Sequence, residues 1–389
     1  MVNLLDGELF ARGEADAVFA QLRRETPVMW HGNFWAVLRH GDVIAVMGDP
    51  ETFTSSRGTG FVSRLDAAPA PPTWRSLNGS DGAVHAELRS LVERAVGAPR
   101  DTMWLRARAR ELVDALVERG GGDVVRDLAE QLPIEALARL LGIDGAQREA
   151  LRACTQAIAR HADASQRPAE WGPGEAFADG ERALRRLVAD WIDARAGRPP
   201  ADTIGRLLAA SDAAGLPRRD LAYLLRLIAL TGHHSTALAI AGAAHALATH
   251  PDQAARLAAN APLGPAVDEV LRWTSPIVRF GRFVERDATI GGQTIRRGER
   301  VVAFFRSANF DETVFAAPER FDLTRVSNPH VAFGYGPHTC FGAGFARMQL
   351  AAAIDALRHV ELALAEPPVR LASSVSSGFL ELRVTAQRR

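Results

Sequence analysis

The stretch FGYGPHTCFGAGFAR, Phe333 to Arg347, constrains this chain more than any other. It sets one cysteine, Cys340, among glycines: Gly334 and Gly336 precede it, Gly342 and Gly344 follow. The chain has only one other cysteine, Cys154, so nothing suggests a disulfide framework. Four readings of Cys340 compete. An inert buried thiol is the usual fate of a lone cysteine. A nucleophile would pair with His338, but residues at that spacing need not face each other, and no third orienting group is evident. Zinc and iron–sulfur sites fail on arithmetic, because they need several cysteines. The fourth reading is the axial thiolate of a haem, and the physical case for it is stronger. Glycine lets backbone N–H groups approach the sulfur closely. The segment after it, AGFARMQLAAAIDAL, reads as a helix, and a helix N-terminus favours a thiolate.

The chain has material for a large core around such a loop, being 389 residues long, 47% hydrophobic and 24% charged. Its formal net charge is zero, which is not the footprint of a nucleic-acid binder. It holds no lysine, so every cation is Arg or His. The N-terminal run carries Asp6, Glu8 and Glu14 without a basic or continuous apolar stretch, and it predicts no signal peptide. With two cysteines, this fits a reducing, cytoplasmic compartment. The longest apolar region is Leu227 to Ala248. Its centre carries His233, His234, Ser235 and Thr236, which are expensive in lipid, so it reads as a buried helix. Helical spacing recurs along the chain, with Pro/Gly-rich punctuation at 67–74, 167–177 and 195–202, the second a candidate mobile lid. Strand-like alternation is brief: FWAVLR, then FVERDATIGGQTIRRGERVVAFF with a hairpin turn at Gly291-Gly292. The expected class is mainly α with small β-sheets.

The pattern Phe333-Gly334-x-Gly336-x-His338-x-Cys340-x-Gly342, followed by Ala346-Arg347, resembles the haem-binding loop of the cytochromes P-450, the haem-thiolate monooxygenases. The resemblance spans nearly the whole chain and implies one cytochrome P-450 domain over 1–389. Haem b would lie between the long central helix and the Cys-loop helix, with Cys340 its axial ligand. Glu269 and Arg272 match the family's E-x-x-R helix, and Arg320 its P-x-R-F element; together they imply a structural network. The segment SDGAVHAELR resembles the helix carrying His-x-x-x-Arg, here His85 and Arg89. These two, with Arg282 and His338, would hold the haem carboxylates, which are costly to bury unpaired. Arg279 is a near competitor for Arg282. Phe333, Gly334 and Gly342 complete the cofactor set.

The central helix departs from the family. It usually reads Ala/Gly-Gly-x-acid-Thr; this chain has Thr231-Gly232-His233-His234-Ser235. Gly232 leaves room for dioxygen. Ser235 keeps a hydroxyl that could bond the carbonyl of residue 231 or turn towards iron-bound oxygen. His234 stands where the acid would be and titrates in the neutral range unless its surroundings shift it. His233 reads as packing into a neighbouring helix. The resemblance implies hydroxylation or oxidative coupling of an organic substrate, expected to be a secondary-metabolite intermediate, free or carrier-bound. A monomer would draw electrons from a ferredoxin and its reductase. Peroxide-driven or non-hydroxylating chemistry and a haem-less helper protein are the alternatives. The substrate wall is expected at Trp74 to Leu77, Trp171 to Phe177, Ile277 and Val278, and the turn Ser376 to Phe379.

Overall fold

The computed structural model describes residues 2–59, 75–97, 102–162 and 175–389, with side chains at 159–162 and 175–177 left aside. Helices dominate, as the apolar spacing predicts. Four of them frame the site: Gly82–Val96, Arg218–Thr231, His234–Thr249 and Ala343–Leu357.

The apolar region expected as one helix is two. Helix Arg218–Thr231 ends at Gly232, and the next begins at His234. Between them His233 leaves helical geometry, with φ −135° and ψ −38°. A Cβ on Gly232 would lie 2.6 Å from the Ile228 carbonyl oxygen and 2.9 Å from Leu137 Cδ1, so only glycine fits this crossing. The whole run Arg218–Thr249 is long and apolar enough to cross a membrane, but 67% of its most apolar window is buried inside the protein. Its alanines, Ala239, Ala241, Ala243 and Ala244 among them, are almost fully buried. The run therefore belongs to the core, and its second helix, His234–Thr249, packs on Ala343–Leu357 and on helix Leu263–Thr274.

The largest sheet orders its strands Val28–Trp30, Trp35–Val37, Arg300–Phe304, Arg279–Val284 and Phe53–Thr54. Only the pairing of Trp35–Val37 with Arg300–Phe304 is parallel. The Gly291-Gly292 hairpin joins Ala288–Ile290 to Gln293–Ile295, and both glycines have positive φ, as a tight two-residue turn requires. Gly121–Asp123, Arg383–Arg388 and Val360–Leu364 form a three-stranded sheet in that order. Strand Arg279–Val284 matters most for function, because it presents both Arg279 and Arg282 to the central cavity.

Candidate active site: the cysteine cavity

The Cys340 loop is built by its glycines. Gly334 and Gly336 both have φ +74°, and a Cβ on Gly336 would come within 2.6 Å of the Met47 carbonyl oxygen. The Cys340 N–H donates to the Phe333 carbonyl at 2.9 Å, closing the loop. Arg89 Nη1 then ties it to helix Gly82–Val96, donating to the carbonyls of Pro337 (3.3 Å) and Thr339 (2.6 Å). Gly342 caps helix Ala343–Leu357. The thiol opens onto an interior cavity of about 1120 Å³ that Phe333, Gly334 and Gly342 also line. It is accessible from that space although protein surrounds it. Burial pushes its pKa up, and the Gly342 N–H and the Arg89 charge work in the other direction. The helix start therefore does not by itself yield a thiolate; a bound metal would, because coordination deprotonates a thiol. Cys154 is buried in a separate helical cluster, which leaves Cys340 as the cavity's sulfur.

His85, Arg89, Arg282 and His338 line the same cavity. Arg282 is 3% exposed, and among the described residues its one hydrogen bond runs from Nη1 to the carbonyl of Gly281 at 2.8 Å. Among the described residues no carboxylate reaches ion-pair distance of it. Burial pushes its pKa down to about 10, with the Asp81 charge opposing. A buried guanidinium in this condition is a site for an anion. Arg279 also lines the cavity, donates from Nη2 to Ser374 Oγ at 3.3 Å, and is likewise lowered to about 10 by burial. Burial lowers His85 to about 4, helped by the charges of His338 and Arg89, so His85 is a neutral donor or acceptor at pH 7. His338 stacks on it, ring centroids 4.2 Å apart. A soft sulfur ligand, cationic and donor groups and apolar walls such as Leu77, Leu137 and Ile277 fit a haem with two carboxylates.

Thr231, Gly232, His234 and Ser235 line the cavity from the helix break. Thr231 Oγ1 donates to the Leu227 carbonyl at 2.8 Å. The Ser235 hydroxyl makes no bond to the carbonyl of residue 231 among the described residues. Burial lowers His234 to about 4, so it is neutral at pH 7 and is no proton reservoir there. His233 turns away, as its sequence context suggests, with Nε2 3.1 Å from Thr155 Oγ1.

Several expectations change. Arg320 is exposed, and only its carbonyl joins the network, accepting from Arg272 Nη2 at 3.3 Å. The second cation on Glu269 is Arg325, whose Nε donates at 3.0 Å, beside Asn328 Nδ2 at 3.0 Å. Val278 faces the N-terminal core with Leu4 and Phe34, because alternation along the chain turns Ile277 to the cavity instead. Phe379 also points away, stacking on His245 at 4.7 Å; Ser374, Val375 and Ser376 take the wall it was expected to form. Leu77 and Ile277 line the cavity, whereas Trp74 and residues 171–174 lie outside the described residues. Sequence reasoning missed Asp81, whose Oδ1 lies 2.7 Å from His338 Nε2. Its only sequence signal is its place four residues before His85.

This arrangement defines a haem-thiolate protein. Comparison with known proteins agrees. Residues 263–367 match the family described as Cytochrome P-450. A steroid C26-monooxygenase of Rhodococcus jostii (strain RHA1) is 30% identical over 98% of this chain and 84% of its own length. Nocardicin C N-oxygenase of Nocardia uniformis subsp. tsuyamanensis is 33% identical over 90% and 89%. The Mycobacterium marinum cytochrome P-450 solved in complex with pseudoionone superposes with a TM-score of 0.88 at 31% identity, covering 99% of this chain and 98% of its own. The chain belongs to the cytochrome P-450 family. It is an oxidoreductase of the monooxygenase class, with haem as cofactor and a cysteine thiolate as axial ligand.

Proposed function

We propose that this protein is a soluble cytoplasmic monomer, one domain over 1–389, that oxidises a secondary-metabolite intermediate by hydroxylation or oxidative coupling. Electrons would come from a ferredoxin and its reductase, docking on the cysteine face where arginines meet acids. The observation that carries the reading is one cavity holding Cys340, the buried cation Arg282 with no carboxylate partner among the described residues, and a mostly apolar substrate wall. Relatives point the same way: nocardicin C N-oxygenase is named for a natural product, and the steroid C26-monooxygenase for a large apolar substrate.

Haem held by a thiolate supplies dioxygen activation, with electron density pushed towards the O–O bond. The chain's own residues bind and orient. Arg282, Arg89, His338 and His85 would hold the haem carboxylates. Gly232 keeps space beside the helix break. Ser235 holds a hydroxyl at the cavity wall, able to pass a proton to or from ordered water. His234, neutral, donates or accepts one hydrogen bond there and fixes a substrate or water without carrying net charge. Thr231, its proton committed to Leu227, acts as an acceptor. Leu77 and Ile277 exclude water on the substrate side.

The test starts with the purified protein. It should be red and give a thiolate-type carbonyl spectrum when reduced; a colourless protein overturns the reading. Optical titration with aromatic, peptide, polyketide and terpenoid scaffolds should then give a saturable spin-state shift with one class. Ser235→Ala should raise electron consumption per product, because a group that can pass protons at the cavity wall is lost. Unchanged coupling removes Ser235 from the mechanism.

A further inference from the structure

Asp81 stands at the N-cap position of helix Gly82–Val96, where an aspartate ordinarily accepts from the first-turn N–H groups. Here its side chain makes no cap bond. It is turned instead towards strand Phe53–Thr54 and His338. Oδ2 accepts from Thr54 Oγ1 (2.5 Å), the Ser55 N–H (2.8 Å) and the Ser56 N–H (3.1 Å). Oδ1 faces His338 Nε2 at 2.7 Å. A carboxylate holding so many donors is ionised, and its pKa lies at about 2 despite burial. An ionised carboxylate only accepts, so His338 Nε2 is the N–H nitrogen. That fixes the ring: Nε2 is committed to Asp81 and Nδ1 is the nitrogen left over, which would donate to a haem carboxylate only when it carries the ring's second hydrogen. His85 packs against the ring at a tilt of 43°, ring centroids 4.2 Å apart.

We propose that Asp81 is a positioning residue of the haem site: it clamps His338, linking the Cys340 loop to strand Phe53–Thr54, and it sets a fixed negative charge beside the haem carboxylates. The inference rests on the proposed contact of His338 with a haem carboxylate. Two consequences follow from the chemistry. Loss of the clamp frees the His338 ring and speeds haem loss. Loss of the charge favours the more reduced, more negative haem and raises its reduction potential.

The experiment compares haem transfer to apomyoglobin and the spectroelectrochemical potential of holoenzymes carrying Asp81→Asn, His338→Ala and both. Asp81→Asn should speed haem loss about tenfold, the scale of one charge-assisted hydrogen bond, and raise the potential. The double variant should lose haem no faster than the faster single one, because Asp81 acts through His338. Independent, multiplying effects overturn the proposal, as does a wild-type rate and potential in Asp81→Asn. If His338→Ala itself keeps the wild-type rate, the His338 contact fails and the two failures are told apart. Should Asp81→Asn not fold, Thr54→Val keeps the charge and slackens the clamp; it should speed haem loss and leave the potential unchanged, and a wild-type rate there overturns the clamp.

Discussion

Arg272 and Arg282 are both almost fully buried, yet they meet opposite fates. Arg272 is saturated. Its Nε and Nη2 fork onto Glu269 at 2.8 Å each, and its Nη groups reach the carbonyls of Asn309, Pro318 and Arg320. Phe310 and Phe315 flank it, 5.1 and 5.5 Å from ring centroid to guanidinium. Among the described residues Arg282 has one bond, to its own neighbour's carbonyl, and a cavity in front of it. The difference teaches how to read a buried charge. Where every donor is met within the protein, the group specifies the fold; where donors face a cavity unmet, the fold has been built around an anion that comes from outside.

The contrast is open to four tests. Arg272→Leu leaves the Glu269 carboxylate buried with its main partner gone, and should cost about 3–5 kcal/mol in urea unfolding. A loss near zero would mean the network is decorative. The second test asks what a buried group does when it has no ion partner and neutralises instead. Burial holds His233 at about 3, below its ordinary 6.5, so the unfolded chain binds a proton that the folded chain refuses. Stability should be full above pH 6.5 and fall as pH drops through that value towards 3, by roughly 2–3 kcal/mol at pH 4.5. His233→Leu should flatten that part of the thermal-midpoint profile.

Arg282→Leu should behave unlike Arg272→Leu. The haem-free chain should unfold as the wild type does or up to about 1 kcal/mol later, since a poorly solvated cation is removed. Haem affinity by titration should fall roughly tenfold to a hundredfold. If the haem-free chain instead collapses in stability, the two arginines are alike and the comparison fails. Arg325→Ala is the smallest, about 1–2 kcal/mol in the same urea assay, because Arg272 and Asn328 still hold Glu269.

Local chemistry was legible because it sits within a few residues. The Cys340 loop, the Glu269–Arg272 pair and the His85–Arg89 spacing each lie on one turn or one helix, where backbone geometry decides which side chains meet. The Gly291-Gly292 hairpin was readable for the same reason. The partners that complete each site were not. Arg325 reaches Glu269 across 56 residues, and Asp81 reaches His338 across 257. No spacing rule links such positions. The sequence put both Ile277 and Val278 at the substrate wall; only the fold shows that Ile277 meets the cavity while Val278 turns into the N-terminal core.

The sequence by itself determined the ligand, the helical class and the family, since these rest on residue identity and short-range periodicity. The tertiary structure alone decided which buried cations are satisfied, that His234 stays neutral, and that the long apolar run breaks at Gly232–His233. Those outcomes depend on what packs around a group in three dimensions, and burial and desolvation are properties of the folded surroundings rather than of the residue.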